Sequence, residues 1–397
     1  MSPGRWIREN LFGTWYDAVL TVVFSVLLGW ALLRVGSFVL VDARWDIVQR
    51  NVTNILVFRF PREEFWRLWA ALYVLAVATG LGAGAAARAR AEQAREGLIR
   101  PPSARLALRR AGPFLVLVAV LLALAGSLQA TLLVLGIVAV WLAFRLAGTR
   151  IAPRHSRWVA VVVAVGVAAA FLLVLAFGGV GWSNWGGLLL TVFLAVGGIV
   201  LSFPLGVLLA LGRRSSFPAV RLVCVAYIEL VRGVPLIAIL FMGAFMIGFF
   251  LPVGFDTPSL ETRALIALVI FTSAYVAEIV RGGLQSVPKA QVEAAQALGL
   301  SPLKTTRLIV LPQALRVVIP AMVGQFISLF KDTSLVFIIG LTELLAVAEN
   351  ITKQPDFIAQ GLIVETLVFA SFVYWVGSYS MSRESQRLER RLGVGER

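Results

Sequence analysis

The chain is poor in the residues that most often carry covalent chemistry. It has one cysteine, Cys224, and one histidine, His155, among 397 residues. A single thiol excludes an internal disulfide and a thiolate metal cluster, and His155 lies in a basic stretch with no second ligand at metal-binding spacing. Charged residues amount to 14%, too few for the solvated surface of a soluble globule of this length. No GxxxxGK[ST] pattern occurs, so ATP hydrolysis through a phosphate-binding loop is excluded. Two similar halves, the mark of many ion-driven transporters, are not detectable. We expect no catalytic residue, no metal ligand and no cofactor bound by the chain itself.

What is abundant is apolar: 59% of the residues are hydrophobic. A membrane-crossing helix needs about twenty apolar residues. Apolar segments lie near residues 16–41, 66–87, 113–147, 158–178, 186–211, 222–251, 263–283, 314–341 and 360–381. The fold class is therefore an all-α polytopic membrane protein. Arg5 and Arg8 precede a first segment too long for a secretory signal core and without a small-residue cleavage site, so it stays as a span. The net charge of +15 does not point to nucleic acid, because the basic residues gather in particular loops, as orientation signals do.

One segment is too long for a single crossing. Residues 113–147 fit either one tilted helix or two short ones turning near Ser127 to Thr131. Flanking charge selects the second reading. Arg88, Arg90, Arg95, Arg100, Arg105, Arg109 and Arg110 precede the segment, and Arg145, Arg150, Arg154 and Arg157 follow it. A single crossing would put one cluster outside. Two crossings give about ten transmembrane helices with both termini cytoplasmic. Outer loops then hold only Arg44, Arg50, Arg59, Arg62, Arg263 and Lys353, while Arg34, Arg67, Arg232 and Lys331 lie within or beside spans.

Between Glu293 and Pro312 the chain reads EAAQALGLSPLKTTRLIVLP, a polar stretch between apolar segments. Pro288 suits a helical first turn, and Lys289 to Leu298 are good helix formers. Gly299 supplies a left-handed stop, and Ser301 with Pro302 starts a second helix. Two helices should meet at a sharp corner. The spaced residues Glu293, Ala294, Ala295, Gly299, Ile309, Leu311 and Pro312 resemble the EAA signature of the permease subunits of bacterial ABC importers. WSNWGGLLLTV near Trp182, LSFPLGVLLALGRRS from Leu201, YIELVRGVPL from Tyr227, SAYVAEIVRGGLQSVP from Ser273 and KDTSL from Lys331 are similar to the polar amino acid branch. The long N-terminal extension resembles general L-amino acid permease subunits with extra leading helices.

That resemblance implies a C-terminal five-helix ABC-importer permease core and a coupling loop that docks on a separate ATPase. The chain would be a non-enzymatic permease of an amino acid importer in the bacterial cytoplasmic membrane. Its implied partners are an ATPase dimer holding ATP and Mg, a homologous permease or second copy of itself, an external solute-binding protein and an amino acid substrate, with no nucleic acid. The segments are 1–87, an N-terminal two-helix region; 88–112, a basic cytoplasmic linker; 113–181, additional transmembrane helices; 182–382, the core with its coupling loop at 286–313; and 383–397, a cytoplasmic tail.

Ionisable side chains within spans are costly and face a protein interior or a water-filled path. Glu229 and Arg232 lie one turn apart before Gly233 and Pro235, which should break their helix. They are candidates either for an internal pair or for the wall of a solute path. Tyr275 and Glu278 share a face of the next span, with Arg281 one turn beyond. Lys331, Asp332 and Thr333 interrupt an apolar helix and are the leading path candidates. Trp182 and Trp185 read as an outer interfacial belt, and Gly197, Gly198, Ser202 and Gly206 as a close-packing stripe. The alternative from another class is a self-sufficient secondary transporter or channel driven by an ion gradient through Asp332, Lys331 and Glu278.

Overall fold

A computed structural model describes residues 3–95, 116, 118–120, 122–123, 127–152, 155–175, 179–252 and 254–392. Among these the chain is helical and forms no strand, with one isolated bridge between Gly187 and Glu343. Eight helical segments are long and apolar enough to cross a membrane, nine if the bent pair Pro218–Gly233 and Leu236–Phe250 counts as one span. The tenth expected crossing, the first arm of the 113–147 hairpin, falls largely outside the described residues, as does most of the 88–112 linker.

The chain divides into two compact units, Met1–Ile47 and Val48–Arg397. In the first, α1 (Pro3–Leu11) precedes α2 (Trp15–Ser37), which continues through a π-helical turn to Asp42. Thr14 and Asp17 form a capping box: Asp17 N–H donates to Thr14 Oγ1, and Thr14 N–H to the Asp17 carboxylate at 3.1 Å. Two of the donors orphaned at the helix start are thereby satisfied.

Helix α3 (Asp46–Val57), amphipathic and too short to span, begins at the end of the first unit and lies mostly in the second. The long α4 (Phe65–Arg95) follows, then α5 (Leu128–Gly148) and α6 (Ser156–Leu175). Close contacts fix their directions. The Tyr73 hydroxyl on α4 donates to the Leu133 carbonyl on α5 at 3.2 Å, and further along Gly80 lies against Trp141 and Gly84 against Gly148. Helices α4 and α5 therefore run parallel. Ser127 caps α5, its Oγ accepting from Ala130 N–H at 3.2 Å. Helix α6 runs antiparallel to α4, with Arg67 Nη1 donating to the Leu173 carbonyl at 3.0 Å and Ala78 meeting Gly166.

The core consists of α7 (Gly187–Arg213), the broken pair α8 (Pro218–Gly233) and α9 (Leu236–Phe241), α10 (Leu260–Ser286), α11 (Lys289–Ala297), α12 (Pro302–Thr305), α13 (Leu311–Asp332), α14 (Leu344–Asn350) and α15 (Ile363–Leu392). The expected break at Gly233–Pro235 is present as a bend of 108°. Small residues on α7 let neighbours approach: Gly197 faces Leu265, Gly198 faces Leu329, and Gly206 lies against Val276. The first and third pairs make α7 and α10 parallel; Gly283 against Ala314 and Val318 at one end, with Leu265 and Leu329 on the adjacent Gly197 and Gly198 at the other, makes α10 and α13 antiparallel. The far ends of α4, α5, α7 and α10 thus share one side of the layer with the 286–313 loop.

The opposite side is closed partly by α3, which lies within the outer loop that holds Arg44, Arg50, Arg59 and Arg62. Asn51 Oδ1 accepts from Gln354 Nε2 at 2.9 Å, and the α3 carboxyl end lies directly on Gly187, whose φ of +58° no side chain adopts easily. The tryptophans depart from expectation. Trp185 is buried, donating to the Val180 carbonyl at 3.1 Å, and Trp182 donates to Thr262 Oγ1 at 2.9 Å. Both pack on Phe193 at centroid distances of 5.2 and 5.4 Å. Cross-helix stacking with satisfied indole N–H groups puts Trp185 in the core and the half-buried Trp182 at its edge.

Candidate functional site

The 286–313 loop is built from its caps. Helix α11 ends on Leu298, and Gly299 takes the left-handed conformation with φ +79°. Its N–H donates to the Gln296 carbonyl at 2.9 Å, and Leu300 N–H donates to the Ala295 carbonyl at 3.1 Å. These two bonds make a Schellman stop, which needs a residue free of left-handed strain at Gly299. Ser301 and Pro302 then begin α12, and a π-helical turn, Thr306–Val310, leads into α13. The corner is the one its sequence implies.

Its residues divide by exposure. Glu293, Ala294, Gly299 and Pro312 are exposed, Ile309 and Leu311 are half-buried, and Ala295 is buried against the core. Ala295 thus contributes packing, and the outward surface falls to its neighbours. Three leucines missed by the sequence reading dominate that surface: Leu298, Leu303 and Leu308 are 83%, 78% and 60% exposed. Their isolation in a polar loop was the available signal. Large apolar side chains this exposed on a polar element make it a candidate contact surface.

Just inward of the loop, the ends of α7, α8 and α10 are tied by a cluster of ions. Glu278 on α10 is its centre. It accepts from Arg281 Nε at 2.8 Å, and its other oxygen lies 3.4 Å from Arg213 and 3.8 Å from Arg232. Arg213 reaches Glu229 at 3.0 Å, and the Arg232 guanidinium sits 5.7 Å over the Tyr275 ring. Glu229, Arg232, Tyr275 and Glu278 are therefore brought together. The pairing differs from the one spacing suggests: Glu229 and Arg232 do not bond each other, because Arg213 from the preceding helix takes Glu229 and Arg232 turns toward α10. Side chains here are 23% to 34% exposed, apart from Glu229 at 55%, so the cluster is semi-buried.

Lys331, Asp332 and Thr333 lie apart from this cluster, at the end of α13. Lys331 is exposed and Asp332 half-buried, with no carboxylate–ammonium contact between them within the described residues. Thr333 is fully buried and donates to the Phe330 carbonyl at 2.7 Å. The three do not form one surface.

A further buried ionisable group escaped the sequence reading. Glu343 lies between the last two spans and caps α14, accepting from Leu345 N–H and Ala346 N–H at 2.8 Å each and from the Tyr374 hydroxyl at 2.9 Å. It has no exposed surface. Burial pushes its carboxyl up to about 7 in spite of those donors, which favour the ionised form. No group of three or more potential metal ligands occurs among the described residues.

The profile of the binding-protein-dependent transport system inner membrane components matches residues 202–394. The inner membrane amino-acid ABC transporter permease protein YhdY of Escherichia coli (strain K12) is 34% identical, over 98% of this chain and 93% of that protein. The glutamate/glutamine/aspartate/asparagine transport system permease protein BztC of Rhodobacter capsulatus is 33% identical over the same shares. A crystal structure of an amino acid ABC transporter with histidines covers 52% of this chain and 92% of its own, with 32% identity and a TM-score of 0.46. The chain belongs to the family of binding-protein-dependent transport system inner membrane components, as a polytopic permease subunit of an ABC transporter.

Proposed function

We propose that this subunit forms the translocation path of an ATP-driven amino acid importer and couples it to a separate ATPase through the Glu293–Pro312 corner. The observation that carries the reading is the exposed set Leu298, Leu303 and Leu308 on a loop whose backbone is held rigidly by its own caps. A preorganised apolar knob loses little entropy on docking. Glu293, Ala294, Gly299, Ile309, Leu311 and Pro312 shape this knob, with Ala295 fixing it to the core. The loop side is then cytoplasmic, in keeping with the arginines at 88–110 and 145–157 and with a cytoplasmic C-terminus; the N-terminus is assigned to the same side. A soluble solute-binding protein would meet the opposite face, and a homologous permease or second copy would complete the path.

Amino acid transport is supported by the names of two relatives matched over almost the whole chain. The ion cluster suits such a solute. Arg213, Arg232 and Arg281 face Glu229 and Glu278, which leaves one positive charge in excess for a passing carboxylate. Glu229, Arg232, Tyr275 and Glu278 are assigned to the inner section of the path, and Lys331, Asp332 and Thr333 to a separate section. Closure of an ATPase dimer holding ATP and Mg would displace the corner and shift the core helices between inward and outward openings.

Cysteines at Ala294 and on the partner ATPase test the docking. In an assembly that takes up radiolabelled amino acid with ATP, we expect a cross-link; failure to trap any ATPase from exposed Ala294 or Leu298 in such a preparation refutes the assignment.

A further inference from the structure

The three-helix group outside the core holds a groove that the transport reading does not use. It measures about 610 Å³ and runs between α4, α5 and α6, with Tyr73, Val77, Phe144, Val161, Val165 and Gly166 along its walls. The lining is almost wholly apolar, and the volume lies within the range of ligand sites. Val161 and Val165 are largely exposed, so the groove opens sideways, toward the hydrocarbon of a bilayer.

Its mouth on the loop side has a different character. Trp158, at the start of α6, stands one helical turn nearer the loop side than Val162 and is of the residue type that settles at headgroup depth, while Trp141 lies one turn deeper than Phe144. The Arg145 guanidinium sits 5.3 Å over the Trp141 ring, and Arg88 Nη1 donates to the Thr149 carbonyl at 3.2 Å. Arg88, Arg145 and Arg150 are exposed around this end. Acidic residues are scarce there: none occurs from 145 to 157, and Glu92 is engaged by Arg88 at 3.0 Å. An apolar slot continuous with a shelf of arginines is complementary to a molecule with hydrocarbon chains and a negative head.

We propose that this groove is a binding site for one anionic phospholipid of the inner leaflet, an acyl chain lying between α4, α5 and α6 and the phosphate on Arg145, Arg150 and Arg88. Basic pockets between spans on the cytoplasmic side suit anionic headgroups. The lipid would fill a void between helices whose mutual contacts are made by small residues, Gly80, Gly84, Gly148 and Gly166, which leave little side-chain bulk of their own. The site rests on the orientation proposed above, but its test does not use transport.

The full chain, purified in detergent, is titrated with phosphatidylglycerol and separately with phosphatidylcholine, and bound lipid is counted by native mass spectrometry. We expect one phosphatidylglycerol retained in preference to phosphatidylcholine. Arg145→Gln with Arg150→Gln should weaken retention about thirty-fold, from about 1 kcal/mol per arginine at an anionic surface. Val165→Trp, at an exposed position that fills the slot without touching a helix contact, should abolish it while the unfolding temperature of the lipid-free protein is unchanged. A photoactivatable phosphatidylglycerol should label peptides containing Val161 and Val165. Equal retention of both lipids, an unaffected Val165→Trp variant, or capture of a protein segment from a photo-crosslinker at Val165 overturns the proposal. Glycerol phosphate competing as well as the intact lipid does so too, since the chain would then contribute nothing. An intact ATPase cross-link from Ala294 alongside any of these results leaves the coupling assignment standing.

Discussion

Removing the charge of Glu278 tests whether the ion cluster is a structural joint on which transport depends. Glu278→Gln keeps the shape of the side chain but leaves Arg213, Arg232 and Arg281 facing only Glu229. Exposed ion pairs contribute about 0.2–1 kcal/mol, whereas stripping one partner from a buried pair costs about 3–5 kcal/mol. At 23% exposure for Glu278 the site lies between these limits. A loss of about 2 kcal/mol follows, divided over three arginines. For a chain of this size that lowers the unfolding temperature by about 4 °C, taking about 2 °C per kcal/mol.

The control is Arg62→Gln, a change of one charge at an exposed residue outside the cluster and the path, which should stay within about 0.5 kcal/mol. The assay pairs thermal unfolding of the purified chain with ATP-driven uptake by the reconstituted assembly. We expect Glu278→Gln to unfold earlier and to transport less solute per ATP hydrolysed, because α7, α8 and α10 would no longer move as one piece. A double change with Arg281→Gln should cost less than the sum of the two, with a coupling energy of about 1 kcal/mol. If Glu278→Gln matched Arg62→Gln in both measurements, the cluster would be neither joint nor path.

Gly299→Ala should cost about 1–2 kcal/mol through its φ of +79° alone, since a Cβ there meets no neighbour; Gly299→Asn should cost less, and equal unfolding temperatures for all three proteins would contradict the Schellman stop. Gly187→Ala combines a φ of +58° with a Cβ driven against the Ile55 carbonyl, so it should exceed the Gly299→Ala loss, read by the same unfolding measurement. Glu343 sets a pH dependence. Its carboxyl sits at about 7 in the folded chain and 4.5 unfolded, so below pH 4.5 both states are protonated and nothing is lost. Between 4.5 and 7 the unfolded state releases the proton first, and stability falls by about 3 kcal/mol in all, then stays level above 7. Glu343→Gln should flatten that slope; an unchanged slope in unfolding from pH 4.5 to 7.5 would remove Glu343 as its cause.

Span positions were readable because hydrocarbon thickness imposes a minimum apolar length, and every segment that the sequence marked and the described residues cover is a helix or a bent pair. The corner was readable for another reason. Gly299, Ser301 and Pro302 act through their own backbone, so no distant partner is needed to interpret them. The ion cluster was half readable. Burial cost pointed to Glu229, Arg232 and Glu278, but Arg213 arrives from a different helix, and local spacing cannot announce a partner supplied by tertiary packing. Trp182 and Trp185 failed by the same logic, since their position near a span end says interface while Phe193 and Phe171, at 6.1 Å from Trp185, say core. Helix α3 was hidden by length. Twelve residues with one apolar face cannot be told from an outer loop until Val48, Asn51 and Ile55 are seen buried.

The arrangement of prolines bears on how motion at the corner could reach the path. Helix α10 has 27 residues and no proline, making a strut about 40 Å long at 1.5 Å per residue. It enters the corner after Ser286, so displacement of α11 acts on its end directly. The two helices packed along it are built differently: α7 contains Pro204 and α13 contains Pro320, each of which removes an internal hydrogen bond and allows bending. At the corner end, Arg213, Glu229 and Arg232 hold α7 and α8 to the strut through Glu278, while beyond Gly233 the α8–α9 pair has already turned away. On the coupling proposed above, a push on the corner would move three helix ends together, with the compliance to change the path elsewhere in Pro204, Pro320 and the bend at Gly233. With an ATPase docked on the corner as proposed, the cluster would be a joint near the motor and the prolines hinges farther along, the arrangement lever action requires.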